Sequence, residues 1–206
     1  MNRIKFYRNV KTQYKKSLIY TRLGYEKTNT VIEPGRKREL DKWISEAEAL
    51  CKVDIVYQVA EITGIEENTV ILDNNERITS SSLAALLRNS GEAVLMAATS
   101  GSFITERIEQ LQQIGEMAKA LVYDAAASEI TDAGLDWLMG FLKQQYIREG
   151  KTLTRMRYSP GYGDLDLSNQ DVFYRRLNLK GLGIELTSRY MLIPEKTVTA
   201  IAGIES

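Results

Sequence analysis

The sequence predicts an α+β domain built on a largely antiparallel, twisted sheet with packed helices. Three observations carry that prediction. Candidate elements run β, β, α, β, a long helical stretch, β, α, β, β, without the regular alternation of a doubly wound fold. The strand-like segments are of two kinds, an alternating one at 53–62 and a continuous apolar one from Ala93 to Ala98. No Walker A sequence occurs, and Gly181-Leu182-Gly183 lacks the third glycine and the strand–turn–helix setting of a dinucleotide fingerprint, so it reads as a loop.

Along the chain, residues 1–22 are basic (Arg3, Lys5, Arg8, Lys11, Lys15, Lys16, Arg22), with Tyr7, Tyr14 and Tyr20 interleaved. They read as a solvated, partly ordered leader in preference to a docking arm for an acidic partner or RNA, which sets the domain at 23–206. After a break at Pro34-Gly35, Leu40, Trp43, Ile44, Ala47 and Leu50 recur at helical spacing and predict a helix over 37–51. Val53, Ile55, Tyr57 and Val59 then alternate with Asp54 and Gln58, as in a strand covered on one face. Thr69 to Leu72 is a second strand, with Asp73-Asn74-Asn75 as its turn. Ser80 to Ser82 supply N-caps for a short helix through Arg88.

The apolar strand at Ala93–Ala98 exits at Thr99-Ser100-Gly101-Ser102. Phe103, Ile104, Ile108, Leu111 and Ile114 form a helical stripe that Met117, Ala120, Leu121 and Asp124 continue. Leu135, Leu138, Phe141 and Leu142 mark a further helix ending near Gly150. Residues 152–158 are a strand leading into a turn at Pro160-Gly161. Ser168, with Asp171 three positions on, caps a helix carrying Val172, Phe173 and Leu177. Tyr190–Ile193 and Thr197–Ile204 close the fold as two strands around Pro194.

Composition narrows the chemistry. The 206 residues are 44% hydrophobic and 26% charged, which fits one domain, or one domain with an appendage. Such a chain buries roughly 70–75% of its unfolded surface and needs no disulfide or metal staple. A formal net charge of zero speaks against a dedicated nucleic-acid binder. The single Cys51 excludes an internal disulfide and, on a helical pattern, reads as a buried thiol rather than a nucleophile. There is no histidine, which removes Ser-His and Cys-His triads, His-ligated metals and imidazole acid–base catalysis. No apolar run reaches a membrane span and no signal-peptide core is present, so the expected setting is the cytoplasm, away from membranes.

One stretch stands apart: Arg157-Tyr158-Ser159-Pro160-Gly161-Tyr162-Gly163-Asp164. Pro160 presets φ for the second position of a turn, and Gly161 supplies the positive φ that a type II turn needs at the third. Gly161 and Gly163 leave the backbone around Tyr162 thinly covered, and Arg157 adds a planar fork suited to a carboxylate. Read from the residues alone, a small-molecule cradle and a structural hairpin whose Arg makes a surface ion pair fit equally well. Asp164-Leu165-Asp166-Leu167-Ser168 begins like a calcium loop, but Asn169 and Arg175 stand where Gly and the bidentate Glu belong. Asp166 and Ser168 are therefore read as helix-entry residues. Ser100-Gly101-Ser102 ahead of a helix is read as a plain connection rather than an anion site. Met96, Met117 and Met139 are read as core packing.

The Arg157-x-x-x-Gly161-Tyr162 motif resembles the S-adenosylmethionine site of the activation (reactivation) domain of cobalamin-dependent methionine synthase. The likeness continues through Leu165 and Gln170, Leu186-Thr187, and Met191-Leu192-Ile193-Pro194-Glu195-Lys196-Thr197-Val198. Leu23-Gly24-Tyr25 and the Ala97–Gly101 strand exit look like free-standing versions of that domain, so the resemblance spans about residue 18 to the end. In that family, an electron from a flavodoxin-like donor and a methyl group from S-adenosylmethionine restore methylcobalamin from inactive cob(II)alamin. The resemblance thus implies an S-adenosylmethionine-binding accessory to a methyltransferase of methionine biosynthesis. It would act in trans on a separate methionine synthase or related corrinoid protein that brings the cobalamin. Arg157 would grip the methionyl carboxylate, the Ser159 backbone would contact the adenosyl part, and Tyr162 would hydrogen-bond or pack against the ligand. Gly161 and Gly163 complete the implied binding set, with no metal ligand and no catalytic side chain. The absence of histidine agrees, since methyl transfer from a sulfonium needs orientation rather than a proton shuttle, an effect of about 7–11 kcal/mol at best. The rival reading is a non-catalytic module that docks a corrinoid protein without binding the methyl donor. A third, an ordinary methyltransferase on another acceptor, is disfavoured by the missing glycine loop.

Overall fold

The computed structural model describes residues 3–25 and 31–205; Met1, Asn2, residues 26–30 and Ser206 lie outside them, together with those parts of the expected 1–22 leader and 23–206 domain. The described strands are β1 (Lys5–Tyr7), β2 (Asp54–Glu66), β3 (Thr69–Leu72), β4 (Glu76–Thr79), β5 (Ser90–Thr99), β6 (Thr152–Leu153), β7 (Glu185–Leu186), β8 (Leu192–Ile193) and β9 (Thr197–Glu205). All but β7 and β8 join one antiparallel sheet in the order β4-β3-β2-β5-β9-β6, with β1 beside the first part of β2. β7 and β8 pair separately. The helices are α1 (Lys16–Arg22), α2 (Pro34–Leu50), α3 (Ser81–Leu87), α4 (Ser102–Gln113), α5 (Met117–Tyr146) and α6 (Gln170–Arg176).

β5 and β9 are apolar on both sides because the sheet is covered on both sides. Val56, Ala60, Leu95, Ala97 and Ile201 pack against Leu83 and Leu87 of α3 and Phe173 of α6. Ile55, Tyr57, Val94, Met96, Ala200 and Ala202 pack against Leu135, Leu138 and Leu142 of α5. The half-covered strand expected at 53–62 is therefore corrected. The face carrying Asp54 and Gln58 also carries Val56 and Ala60, both fully buried, and their small or β-branched side chains fill the space under α3 and α6. A third cluster joins Ile19, Leu40, Ile44, Ile104, Ile108 and Leu111 to the first half of α5, so the helices make a layer of their own.

Other expectations shift. The helical break falls at Gly115 (φ +82), not before Leu135. There the amides of Gly115 and Glu116 turn back to the carbonyls of Gln112 and Leu111. No proline occurs between Met117 and Tyr146, and α5 runs on for 30 residues, about 45 Å. Strand 152–158 is real only at Thr152–Leu153. Thr154 Oγ1 takes the Gly203 amide at 3.0 Å, and the chain then bows away until Tyr158 rejoins Ile201. At α6 it is Asp166, not Ser168, that caps: its carboxylate accepts from the Ser168 amide at 2.8 Å and opens a 3₁₀ turn ahead of the helix.

The segment 1–22 is not a solvated leader where it is described. β1 adds an edge to β2, pairing Lys5 with Tyr57 and Tyr7 with Ile55. Tyr7 stacks on Tyr57 (6.2 Å between centroids) and meets Trp137 edge-on at 5.3 Å. Ile19 is fully buried, and Arg8 and Lys16 are ion-paired with Asp54 and Asp41. The aromatic and aliphatic positions between the basic residues are what anchor it. Among the described residues no helix is long and apolar enough to cross a membrane.

Candidate functional site

The site begins where the β6–β9 ladder is interrupted. Tyr158 hooks the chain back to the sheet through a reciprocal pair of backbone bonds with Ile201, at 2.9 and 2.8 Å. Tyr162 N–H donates to the Ser159 carbonyl at 3.2 Å, with Pro160 and Gly161 as the central turn residues. Gly161 has φ +87, as the type II turn requires. Gly163 is held more tightly: at φ +54, a Cβ there would lie 2.1 Å from the Tyr158 hydroxyl.

Asp164 fixes the far end of the turn. Its carboxylate accepts from Ser80 Oγ at 2.7 Å and from the Ser81 and Ser82 amides at 2.6 and 3.2 Å. The Ser80 hydroxyl, and after it these amides, hold the Asp164 carboxyl down at about 2. Ser80 also caps α3 itself, accepting from the Leu83 amide. The loop is thereby clamped to a helix N-terminus more than 80 residues upstream.

Between this loop, α5 and β9 lies a cleft of about 340 Å³ lined by Asp132, Met156, Arg157, Tyr158, Ser159, Tyr162 and Val198. That is the low end of the small-molecule range. Tyr162, 70% exposed, stands at its rim. α5 lays Glu129, Asp132 and Asp136 along one face, at spacings of three and four. Two arginines from distant segments meet them. Arg22 of α1 donates to Asp132 at 2.6 Å and to Glu129 at 3.2 Å. Arg157 donates through one terminal nitrogen to Asp136, while its other terminal nitrogen lies 3.5 Å from the Asp132 carbonyl. A fork and a carboxylate side by side suit a ligand that carries both a carboxylate and an ammonium, and the two tyrosines offer flat surface to the remainder.

Of the five residues singled out in the sequence, Arg157, Ser159 and Tyr162 line this cleft; Gly161 and Gly163 shape the turn without lining it. Asp132, Met156, Tyr158 and Val198 complete the wall and were not anticipated. Asp132 and Asp136 had a signal, since with Glu129 they recur at spacings of three and four along one helix. Both alternatives left open for Arg157 prove compatible: it makes a surface ion pair and it faces a cleft.

Elsewhere, the amides of the Ser100-Gly101 connection are consumed internally, by the Lys196 carbonyl and Thr99 Oγ1. Burial pushes the Cys51 thiol up to about 11, which leaves it protonated and inert at neutral pH. No cluster of three His, Cys, Asp or Glu suited to a metal occurs among the described residues.

The fold is that of a MetH reactivation domain. The solved structure of the MetH reactivation domain bound to AdoHcy matches with a TM-score of 0.70 and 11% identity, over 97% of this chain and 78% of that one. No protein-family model matches the sequence, and neither does any curated protein. On this fold, the chain places an interrupted strand, a glycine turn and an acidic helix face around one cleft.

Proposed function

We propose that the protein binds S-adenosylmethionine in the Arg157 cleft and supports reductive remethylation of a corrinoid carried by a separate protein. The observation that carries this reading is the meeting of Arg157 and Asp132 in one cleft beside two tyrosines. Support also comes from the fold, whose solved counterpart holds AdoHcy. Arg157 would hold the methionyl carboxylate, Asp132 the amino group, and Tyr162 with the Ser159 backbone would flank the adenosyl part. The ligand supplies a sulfonium methyl, which passes to a cobalt(I) nucleophile formed from cob(II)alamin by one electron from a flavodoxin-like donor, leaving S-adenosylhomocysteine. The chain contributes binding and orientation, which need no proton-transfer group. Exposed Met156 and Tyr162 at the mouth give a partner apolar surface to meet. A cytoplasmic setting, where such a reductant is at hand, belongs to the same proposal.

Calorimetric titration tests it first: S-adenosylmethionine and S-adenosylhomocysteine should both bind. Reconstitution with a cob(II)alamin-loaded partner and a one-electron reductant should then show methylcobalamin forming faster with the chain present. The second reading, a docking module that does not bind the methyl donor, draws on the Arg157–Asp136 pair, which already occupies the guanidinium. Silence in the titration at millimolar ligand, with partner binding retained, would establish that reading instead.

A further inference from the structure

We propose that Asp136 is a built-in competitor for the ligand's carboxylate: it occupies Arg157 in the resting protein and must swing away before a carboxylate ligand can be held. This rests on the reading of the cleft as an S-adenosylmethionine site and concerns how that site is gated and what it selects.

The pair is asymmetric. Arg157 is set into the cleft wall with 25% of its side chain exposed, whereas the Asp136 side chain is 68% exposed. The cation is thus fixed and the anion free to leave at little desolvation cost. The contact is also incomplete. Among the described residues, one terminal nitrogen of Arg157 reaches Asp136 and the other has a carbonyl at 3.5 Å, a weak geometry. A ligand carboxylate presented to both nitrogens would make the two-toothed contact that Asp136 does not.

Asp136 has somewhere to go. It lines a second cleft, of about 480 Å³, together with Lys11, Gln13 and Gln144 as polar residues and Trp137 and Phe141 as aromatic ones. Lys11 offers the displaced carboxylate a new cation. Asp136 lines this second cleft and Arg157 the first, so the ion pair between them joins the two.

Charge adds selectivity. Glu129, Asp132 and Asp136 face Arg22 and Arg157, an excess of one negative charge. A simple anion would increase that excess. A sulfonium amino acid brings its carboxylate together with two positive charges, so it can replace Asp136 at Arg157 without adding net negative charge.

The experiment compares the full chain with Asp136→Asn and Asp136→Ala. S-adenosylmethionine and its decarboxylated analogue are titrated calorimetrically against each, with thermal unfolding as a check on folding. Competition predicts that both variants bind S-adenosylmethionine about two- to five-fold more tightly, the weight of a partly exposed ion pair. The decarboxylated analogue, which does not contend for Arg157, should gain nothing. General electrostatics predicts the opposite sign for S-adenosylmethionine, because removing a carboxylate near a cationic ligand weakens it. If the parent binds and the variants bind S-adenosylmethionine equally or less tightly, or gain equally for both ligands, the competitor role is overturned and the site reading stands. Binding by the variants alone would support the gate in its strongest form. If neither parent nor variants bind S-adenosylmethionine, the site reading itself fails and the gate with it.

Discussion

Arg157 and Arg176 each line an open cleft of about the same size, near 340 and 330 Å³, yet the two are held in opposite ways. Arg176 is 7% exposed and spends its donors on the protein. It reaches Asp73 Oδ1 at 2.5 Å, the Asp73 carbonyl at 3.2 Å, Glu76 Oε2 at 3.2 Å and Gln58 Oε1 at 3.2 Å. It stitches α6 to β2 and to the turn between β3 and β4. Among the described residues Arg157 has one ion-pair partner, and that partner is an exposed side chain on a helix surface. A guanidinium has five N–H donors. Where the chain satisfies most of them, the arginine is a rivet; where it meets one exposed carboxylate, as in the Arg157–Asp136 pair, donors are left over for a ligand to take.

The largest effect should fall on the rivet. Arg176→Ala leaves Asp73 without its cation and Glu76 with Arg175 alone, and should cost about 2–3 kcal/mol of stability, reduced from the fully buried case because both acids keep some solvent. Urea unfolding measures it. Arg157→Ala should change stability by less than about 1 kcal/mol, as partly exposed pairs do. Equal losses for the two variants would break the comparison.

Arg157→Ala should instead weaken S-adenosylmethionine binding by about 1.5–3 kcal/mol, the weight of a charged hydrogen bond. Arg157→Lys should lose less, since it keeps the charge and gives up the fork. Arg176→Met, if folded, should bind like the parent. Calorimetry on the three variants sharpens the distinction, and unaltered binding by Arg157→Ala would remove the ligand role from this arginine.

What the sequence disclosed follows the range of the interactions. The Pro160-Gly161 turn is local chemistry, and Gly161 has the positive φ that its turn type demands. The apolar run at Ala93–Ala98 announced a buried strand because its pattern is its own cause. Asp164 could not be read, because its partners are the hydroxyl of Ser80 and the amides of Ser81 and Ser82, which only folding brings near. The acidic face of α5 was obscured for a related reason. Leu135 and Leu138 fix the helix against the sheet, and that contact, not the spacing of the acids, turns Asp132 and Asp136 toward Arg157. The N-terminal segment misled because seven cations outweighed three tyrosines on a count, whereas in the fold Tyr7 is placed by Tyr57 and Trp137.

A smaller effect tests how the loop keeps Arg157 in the cleft wall without a rivet of its own. Gly163→Ala places a Cβ against the Tyr158 hydroxyl in a backbone conformation that disfavours side chains, and should cost about 1–2 kcal/mol. Because Tyr158 lines the cleft, the variant should lose both thermal stability and ligand affinity. A loss of one without the other would show that the turn and the cleft are not coupled as drawn.

The smallest expected effect is a pH dependence confined to the Arg157 side of the comparison. The Asp164 carboxyl lies at about 2 in the fold, below the ordinary 3.8, chiefly because the Ser80 hydroxyl donates to its ionised form and the Ser81 and Ser82 amides add to it. A carboxyl lowered in this way contributes stabilisation that is complete above its unfolded value, near pH 4, and is lost as the pH falls through about 2. Over that window the clamp between the turn and α3 should release, and the Ser81 and Ser82 amides should lose protection from hydrogen exchange. Other lowered carboxyls, such as Asp166 and Glu46, titrate in acid as well, so the parent's curve alone does not isolate the clamp. Asp164→Asn does. It should show reduced protection at Ser81 and Ser82 already at neutral pH and no further loss at those two amides between pH 4 and 2. The amides of α6 near Arg176 should behave alike in both proteins. Should the variant's Ser81 and Ser82 amides match the parent's across the whole range, Asp164 is not what holds the loop, and the wall that carries Arg157 owes its position to the Tyr158–Ile201 bridge instead.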